Sequence, residues 1–130
     1  MKKLLIVDDE KNIRALFRDE LDEDGYIVDT AGSGHEALAK ISENRPDLVV
    51  LDVRMEDMTG LEVLEEVRKT DRTLPIIMCT AVRGLEEEFT VWDAHVSDYI
   101  TKPVDLEDLK EKIRRALSAA EGAMEVPPAE

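Results

Sequence analysis

The sequence predicts one α/β domain in which a parallel β-sheet is covered by helices on both faces. Apolar runs at residues 4–7, 48–51 and 76–79 have no polar interruption, as expected for strands that meet water on neither face. Segments with apolar residues at helical spacing separate these runs, and alternation of strand and helix is typical of βαβ units. The 130 residues suffice for one domain with a hydrophobic core but not for two ordinary domains.

The first strand, residues 4–7, ends at the paired acids Asp8 and Asp9. A first helix is predicted over residues 11–24, because apolar side chains recur there at helical spacing and Gly25 is a suitable C-cap. The apolar positions of this helix are Ile13, Leu16, Phe17 and Leu21.

The second strand and second helix follow directly. Residues 26–31 are rich in β-branched and aromatic side chains but include Asp29, which predicts a short strand near an edge of the sheet. Ser33 and Glu36, three residues apart, have the spacing of a capping box and begin the second helix. That helix should end before Pro46, because the residue preceding a proline disfavours helical backbone angles.

The third strand, residues 48–51, delivers Asp52 to the end of an apolar run. Residues 54–58 show neither strand nor helix periodicity and are predicted to form a loop. Thr59 and Glu62 then supply a second capping-box pattern, which begins the third helix. The predicted inward positions of this helix are Leu61, Leu64 and Val67.

The fourth strand, residues 76–79, is followed by Thr80. A helix is predicted over residues 84–93, where three large apolar side chains share one face although Thr90 and Val91 lower the helix propensity. These three side chains are Leu85, Phe89 and Trp92.

The fifth strand, residues 98–101, is stopped by Lys102 and Pro103. Asp105 is placed to cap a final helix whose apolar positions keep the helical period. These positions are Leu106, Leu109, Ile113 and Leu117. Residues 122–130 contain two prolines and no periodicity, so the domain is expected to span residues 1–121, with a disordered tail or the stump of a linker after it.

Composition excludes several classes of function. Seventeen Lys and Arg against 31 Asp and Glu give a net charge of −14, which disfavours direct binding to a nucleic-acid backbone. No apolar run approaches the roughly 18 residues of a membrane span, so a cytoplasmic location without membrane contact is expected. The single Cys79 lies in an apolar run and is expected to pack as a small hydrophobic residue.

Right-handed crossovers should bring all strand ends to one edge of the sheet, although the residues there are far apart in sequence. The acids of that edge are Asp8, Asp9 and Asp52, and they repel one another unless a cation is present. A hard divalent ion such as Mg²⁺ suits oxygen ligands of this kind. Lys102 and Thr80 can both hold anionic oxygens, and a carboxylate can attack phosphorus to form an aspartyl phosphate.

Five features in order make the chain similar to a known family, the receiver domains of response regulators in two-component signal transduction. The features are Asp8-Asp9 after the first strand, Asp52 after the third, Thr80 after the fourth, Tyr99 in the fifth and Lys102-Pro103 after it. The resemblance extends from about residue 3 to 120. It implies a flavodoxin-like (βα)5 three-layer sandwich with strand order 2-1-3-4-5, an order that the spacing of motifs does not determine.

The resemblance also implies roles at the site. Asp52 would accept a phosphoryl group from a sensor histidine kinase or a histidine phosphotransfer protein. Asp9, Asp52 and the backbone carbonyl of Arg54 would ligate Mg²⁺, or alternatively Mn²⁺, with Asp8 acting mainly through water. Thr80 and Lys102 would hold the phosphoryl oxygens, and the peptide bond before Pro103 would be cis. The domain would not be an enzyme that turns over a substrate, since it would catalyse only its own phosphotransfer and slow autodephosphorylation.

The resemblance implies an output as well. Phosphorylation adds negative charge and acceptor oxygens, which would draw Thr80 inward and let Tyr99 move from an exposed to a buried rotamer. The face formed by the fourth helix, the fifth strand and the fifth helix would then change, for binding of a downstream effector protein or for homodimerisation.

Some positions depart from the family's pattern. Proline commonly follows the methionine of the loop after the acceptor, whereas Glu56 and Asp57 follow Met55 here, and these two acids are expected near the metal. His95 and Val96 stand where the family often has Gly-Ala. His35 and His95 lack ligand spacing and are expected to be isolated surface residues.

The sequence leaves open two other functions and whether the chain is a whole regulator or part of a longer one. A haloacid-dehalogenase-like phosphatase also uses an aspartyl phosphate, but its usual Asp-x-Asp spacing is absent from Asp8-Asp9. A phosphorylation-independent scaffold of the same fold would not need the complete acidic set. The chain could be a stand-alone regulator or the amino-terminal module of a longer one.

Overall fold

Five parallel strands form one sheet with the order β2-β1-β3-β4-β5, which confirms the predicted fold class and strand order. The computed structural model describes residues 1–80 and 96–124, without the side chains of residues 123 and 124. The strands are β1 Lys3–Val7, β2 Ile27–Ala31, β3 Leu48–Asp52, β4 Ile76–Thr80 and β5 Asp98–Thr101. The strand expected near an edge, β2, is an edge strand.

Four helices lie within the described residues. They are α1 Lys11–Glu23, α2 Gly34–Glu43, α3 Gly60–Thr70 and the C-terminal helix Leu106–Met124. The helix predicted at residues 84–93 lies outside the described residues, and so does most of the expected tail. The expected boundary after residue 121 falls inside the C-terminal helix, which continues for three residues. Gly122 costs that helix only about 1 kcal/mol relative to alanine, so the helix need not stop there.

Each face of the sheet has its own hydrophobic core. In β1, Leu4 and Ile6 pack with α1 and the C-terminal helix, whereas Leu5 and Val7 pack with α2 and α3. Both faces are therefore dry, which explains why β1, β3 and β4 lack alternation between apolar and polar residues. The result is the predicted sandwich of helices, sheet and helices.

Two sequence expectations about the helices need correction. Leu16 is 46% exposed, because the inward stripe of α1 runs through Ile13, Phe17 and Leu21, and Leu16 lies about 100° around the helix from Phe17. At α2, the Ser33 hydroxyl accepts from the Glu36 N–H, but the Glu36 carboxylate accepts from the N–H of Gly32 instead of Ser33, so the capping box is incomplete.

The other predicted helix ends are confirmed. Thr59 and Glu62 form a complete capping box at α3. Asp105 accepts from the N–H groups of Glu107 and Asp108 at the start of the C-terminal helix. Gly25 follows α1 with φ +92°, a left-handed conformation that suits glycine.

Candidate functional site

Four strand ends assemble a polar site at the carboxyl edge of the sheet. Asp52 is the last residue of β3 and Thr80 the last residue of β4, while Asp8 and Lys102 directly follow β1 and β5. Main-chain hydrogen bonds extend the sheet to these residues. The Asp8 N–H donates to Ala31 O at 3.1 Å, and the Lys102 N–H donates to Thr80 O at 2.6 Å. The sheet itself thus fixes the backbone of the site.

Lys102 bridges two buried carboxylates. Its Nζ lies 3.0 Å from Asp8 Oδ2 and 3.3 Å from Asp52 Oδ1. Asp8 is 3% exposed and Asp52 is 5% exposed, so water screens neither charge well. One ammonium group therefore offsets two carboxylates that are largely removed from solvent.

Burial and the neighbouring charge of Asp8 raise the pKa of Asp52 to about 6, against the opposing effect of Lys102. Burial also opposes the charge on Lys102, yet its hydrogen bond to Asp8 and the charge of Asp52 raise its pKa. The site thus has more negative charge than Lys102 alone can neutralise, and it favours a further cation.

The turn after β1 concentrates acids at the same edge. Asp8, Asp9 and Glu10 each offer a carboxylate oxygen, and these atoms lie within 4.8 Å of one another. Asp8 Oδ1 accepts from the Glu10 N–H at 2.9 Å, and the Asp8 main-chain oxygen accepts from Arg14 Nη1 at 2.7 Å. Both contacts hold the turn in place.

The donor set fits a hard divalent cation. The acidic turn supplies clustered carboxylate oxygens, of which those of Asp9 and Glu10 are exposed to solvent, and Asp52 adds a buried one nearby. Mg²⁺ prefers oxygen ligands and keeps several waters, which suits a half-open site of this kind. The side chains that could hold such an ion are therefore those of Asp8, Asp9, Glu10 and Asp52, in addition to the main-chain carbonyl expected from Arg54; Glu10 was not expected from the sequence.

The loop between β3 and α3 places Asp57 beside the start of α2. Asp57 accepts hydrogen bonds from the main-chain N–H groups of Gly34 and His35 at the start of α2, because those first-turn amides have no partner within the helix. It does not join the acidic cluster that the described residues form. The Asp57 carboxylate therefore binds the first turn of α2, while Arg54 and Glu56 are exposed, and the expectation of extra acids near the metal stays a prediction.

His35 is exposed, as expected, but it is not isolated. Its Nδ1 lies 2.6 Å from Asp57 Oδ2, and its side chain is 76% exposed. His95 lies outside the described residues.

Gly60 sets how closely α3 approaches Asp52. Its N–H donates to Val53 O at 2.7 Å, and a Cβ at Gly60 would lie 2.3 Å from the main-chain oxygen of Asp52. Only glycine lets the start of α3 pack against the backbone of the buried carboxylate. Sequence reasoning passed over Gly60, although its place directly after the Thr59 cap was a signal.

We predict that Gly60→Ala destabilises the fold. The added methyl group would meet a main-chain atom that cannot rotate away, and overpacking of this kind costs about 1–3 kcal/mol. Urea denaturation measures the change in the free energy of unfolding. Gly122→Ala is the control, because a Cβ there meets nothing within 4 Å, and it should leave stability unchanged or raise it by up to about 1 kcal/mol. An unchanged midpoint for Gly60→Ala would contradict the prediction.

The remaining predicted residues lie where the sequence suggested. Thr80 is buried at the end of β4, and Tyr99 is half-buried in β5 beside the core on the α2 and α3 face. The Lys102–Pro103 peptide bond is cis, as expected. Cys79 is buried, and burial raises the pKa of its thiol to about 12, so it packs as an inert apolar residue. The movement of Tyr99 from an exposed to a buried rotamer stays a prediction.

This geometry agrees with the comparison of the chain with known families. Residues 4–114 match the family model described as the response regulator receiver domain. The chain belongs to this family. Receiver domains are signalling modules of response regulators, so the resemblance inferred from five motifs is confirmed.

Curated relatives of this receiver domain are response regulators of about twice its length. Response regulator MprA from Mycobacterium sp. (strain KMS) is 43% identical over 115 residues, which are 88% of this chain and 50% of that protein. The uncharacterized transcriptional regulatory protein YkoG of Bacillus subtilis is 40% identical over 114 residues, again 88% of this chain and 50% of that protein. The receiver domain thus spans about half the length of the curated relatives it matches.

Solved structures share the fold of the receiver domain. A CheY-like receiver domain protein from Methanospirillum hungatei JF-1 has a TM-score of 0.88 and 36% identity, covering 95% of this chain and 98% of that chain. Response regulator TrrA from Thermotoga maritima, solved in complex with Mg²⁺-BeF, has a TM-score of 0.82 and 41% identity, covering 89% and 99%. Within the described residues, no helix is long and apolar enough to cross a membrane.

Proposed function

We propose that this receiver domain accepts a phosphoryl group on Asp52 from a sensor histidine kinase or a histidine phosphotransfer protein. The observation that carries the proposal is the position of Asp52. Its carboxylate is buried at the end of β3, and Lys102 lies between it and the acidic turn that contains Asp8. This arrangement combines a nucleophile, a mobile cation and ligands for a metal at one edge of the sheet.

The residues of the site divide the work of phosphoryl transfer. An Asp52 carboxylate oxygen forms the bond to phosphorus while the bond between phosphorus and the donor's histidine nitrogen breaks. Lys102 and Thr80 hold the transferred oxygens. Mg²⁺, when bound through Asp9, Asp52 and the Arg54 carbonyl, would neutralise the developing charge on the phosphoryl group. Asp8 positions Lys102 and acts on the metal mainly through water.

Ionisation of Asp52 links the metal to the reaction. The carboxylate must be ionised to attack phosphorus, yet its pKa of about 6 places much of it in the protonated form at mildly acidic pH. A bound divalent cation favours the ionised form and lowers that pKa. The solved complex of TrrA with Mg²⁺-BeF supports the proposal by analogy, since that protein is 41% identical to this chain.

The output follows from strand pairing beside the acceptor. Thr80, which ends β4, is paired with Thr101 of β5, and Tyr99 lies two residues before Thr101 in the same strand. Movement of Thr80 toward the phosphoryl group would therefore displace its partner strand β5 directly, and the change in Tyr99 would alter the surface there. The face that includes β5 and the C-terminal helix is then the part that an effector protein or a second copy of the chain would recognise.

Acetyl phosphate provides the test of this function, because it needs no cognate kinase. With Mg²⁺ present, we expect intact-protein mass spectrometry to detect the addition of one phosphoryl group, and Mn²⁺ to substitute for Mg²⁺. EDTA should prevent the addition. A chain that stays unmodified in the presence of Mg²⁺ would contradict the proposal and favour a phosphorylation-independent scaffold of the same fold.

A further inference from the structure

Asp57 joins the loop after Asp52 to the N-terminus of α2. Its Oδ1 accepts from the Gly34 N–H at 3.0 Å, and its Oδ2 accepts from the His35 N–H at 2.9 Å. The Nδ1 of His35 lies 2.6 Å from the same Oδ2. These hydrogen bonds, that from Gly34 foremost, hold the pKa of Asp57 far below its usual range. The carboxylate thus stays ionised and bound to the first turn of α2.

Met58 provides a second contact between the loop and α2. A Cβ at Gly34 would lie 2.1 Å from Met58 Cγ, so Met58 covers this glycine closely. Met58 is partly buried and packs against the core between the sheet, α2 and α3. The polar contacts of Asp57 and the apolar contact of Met58 therefore fasten the same two segments.

The loop depends on these contacts for its conformation. Main-chain hydrogen bonds fix its two ends: the Val53 N–H donates to Cys79 O at 2.9 Å, and the Gly60 N–H donates to Val53 O at 2.7 Å. Residues 54–58 between them contain no proline and form neither strand nor helix. Side-chain contacts of Asp57 and Met58, together with Met55, which packs against the same core, therefore restrain the main chain at Arg54 and its neighbours.

We propose that Asp57 is a positioning residue for the metal site, which it serves by fastening residues 54–58 to α2. The inference rests on the proposed function, in which the Arg54 carbonyl is a ligand of Mg²⁺. Mg²⁺ demands near-ideal octahedral geometry, so a carbonyl on a loosely held loop is a poorer ligand than one held in place. Asp57 itself contacts neither the ion nor the phosphoryl group.

The test compares two variants that remove different caps from the same helix. Asp57→Ala removes the contacts to the loop, whereas Ser33→Ala removes the hydroxyl that accepts from the Glu36 N–H and leaves the loop untouched. Both should lower the melting temperature to a similar extent. Isothermal titration calorimetry with Mg²⁺ alone should find the dissociation constant raised about tenfold in Asp57→Ala and unchanged in Ser33→Ala. Asp57→Asn, which keeps one acceptor oxygen, should lie between wild type and Asp57→Ala.

Hydrogen exchange without Mg²⁺ gives a second measurement that does not depend on phosphorylation. The amides of residues 54–58 should exchange faster in Asp57→Ala than in Ser33→Ala. Equal Mg²⁺ affinity in wild type and Asp57→Ala would overturn the inference alone, as would equal weakening in both variants. A wild-type protein that fails to bind Mg²⁺ would overturn the proposed function and this inference with it.

Discussion

Asp52→Asn is expected to stabilise the Mg²⁺-free protein above pH 6 while it removes the phosphoryl acceptor. Burial and the charge of Asp8 raise the pKa of Asp52 to about 6, so the ionised carboxylate is unfavourable in the folded chain. A neutral amide of the same shape avoids that cost. A raised pKa corresponds to roughly 1.4 kcal/mol per unit, which gives an expected gain of about 2–3 kcal/mol at neutral pH.

The sign of this effect sets its pH window. Below the ordinary pKa of 3.8, both the folded and the unfolded chain hold the proton on Asp52, so the acid contributes nothing to the difference. As the pH rises from about 4 to 6, the unfolded chain loses the proton first and the folded state loses stability relative to it. The gain in stability from Asp52→Asn should therefore be absent at about pH 3.5, just below this window, and complete above its upper end at about pH 6.

Urea denaturation across this pH range measures the effect. Asp19→Asn is the control, because it removes one carboxylate from an exposed position of α1. Added Mg²⁺ should stabilise wild type and narrow the difference, since only the ionised carboxylate binds the ion. An Asp52→Asn variant that is less stable than wild type at neutral pH without Mg²⁺ would contradict this electrostatic account.

Lys102→Met is expected to have the second large effect. The change leaves the buried carboxylates of Asp8 and Asp52 without their ammonium partner, and breaking a buried ion pair costs about 3–5 kcal/mol. Loss of a positioned cation also removes stabilisation of the transferred oxygens, so phosphorylation by acetyl phosphate should slow by about 10²–10³-fold. Stability and rate should therefore both fall, in contrast to the gain in stability expected for Asp52→Asn.

Lys112→Met is a matched control for this experiment. Lys112 and Lys102 have the same side-chain exposure, 19%, but Lys112 pairs with Asp98 at 3.5 Å, away from the acidic turn. Its loss should change stability by less than about 1 kcal/mol and leave the phosphorylation rate unaltered. Equal rates for Lys102→Met and wild type would show that this lysine does not hold the phosphoryl group.

Sequence patterns predicted the strands of the sheet and the residues at the strand ends. Unbroken apolar runs identified β1, β3 and β4, because strands with two dry faces cannot alternate. The parallel arrangement then brought Asp8, Asp52 and Lys102 to one edge, although 94 residues separate Asp8 from Lys102. The strand order came from the family resemblance, since motif spacing does not distinguish neighbouring strands.

Contacts between loops and distant elements were not predictable in the same way. Asp57 was expected near the metal because it follows Asp52 closely in sequence, yet its carboxylate binds amides 22 and 23 residues earlier. Gly60 follows the Thr59 cap in sequence, but that place does not show that α3 packs against the backbone of Asp52. Such contacts depend on how elements meet in space, whereas periodicity describes each element alone.

The proposed output face consists of β5 and the helices on either side of it in sequence. Thr80 ends β4 and Tyr99 lies in β5, and the helix predicted at residues 84–93, one part of the proposed output face, lies outside the described residues. The output face therefore stays a prediction, and the chemistry at Asp52 is the part of the account that can be tested first.

Mapping the site of phosphorylation tests the central claim most directly. Protein treated with acetyl phosphate and Mg²⁺ would be reduced with borohydride, which converts an aspartyl phosphate to homoserine, and then digested for peptide mass spectrometry. We predict homoserine at position 52 only, and none when EDTA is present. Homoserine at Asp8 or Asp9 instead, or modification of a different residue type, would contradict the assignment of Asp52 as the phosphoryl acceptor.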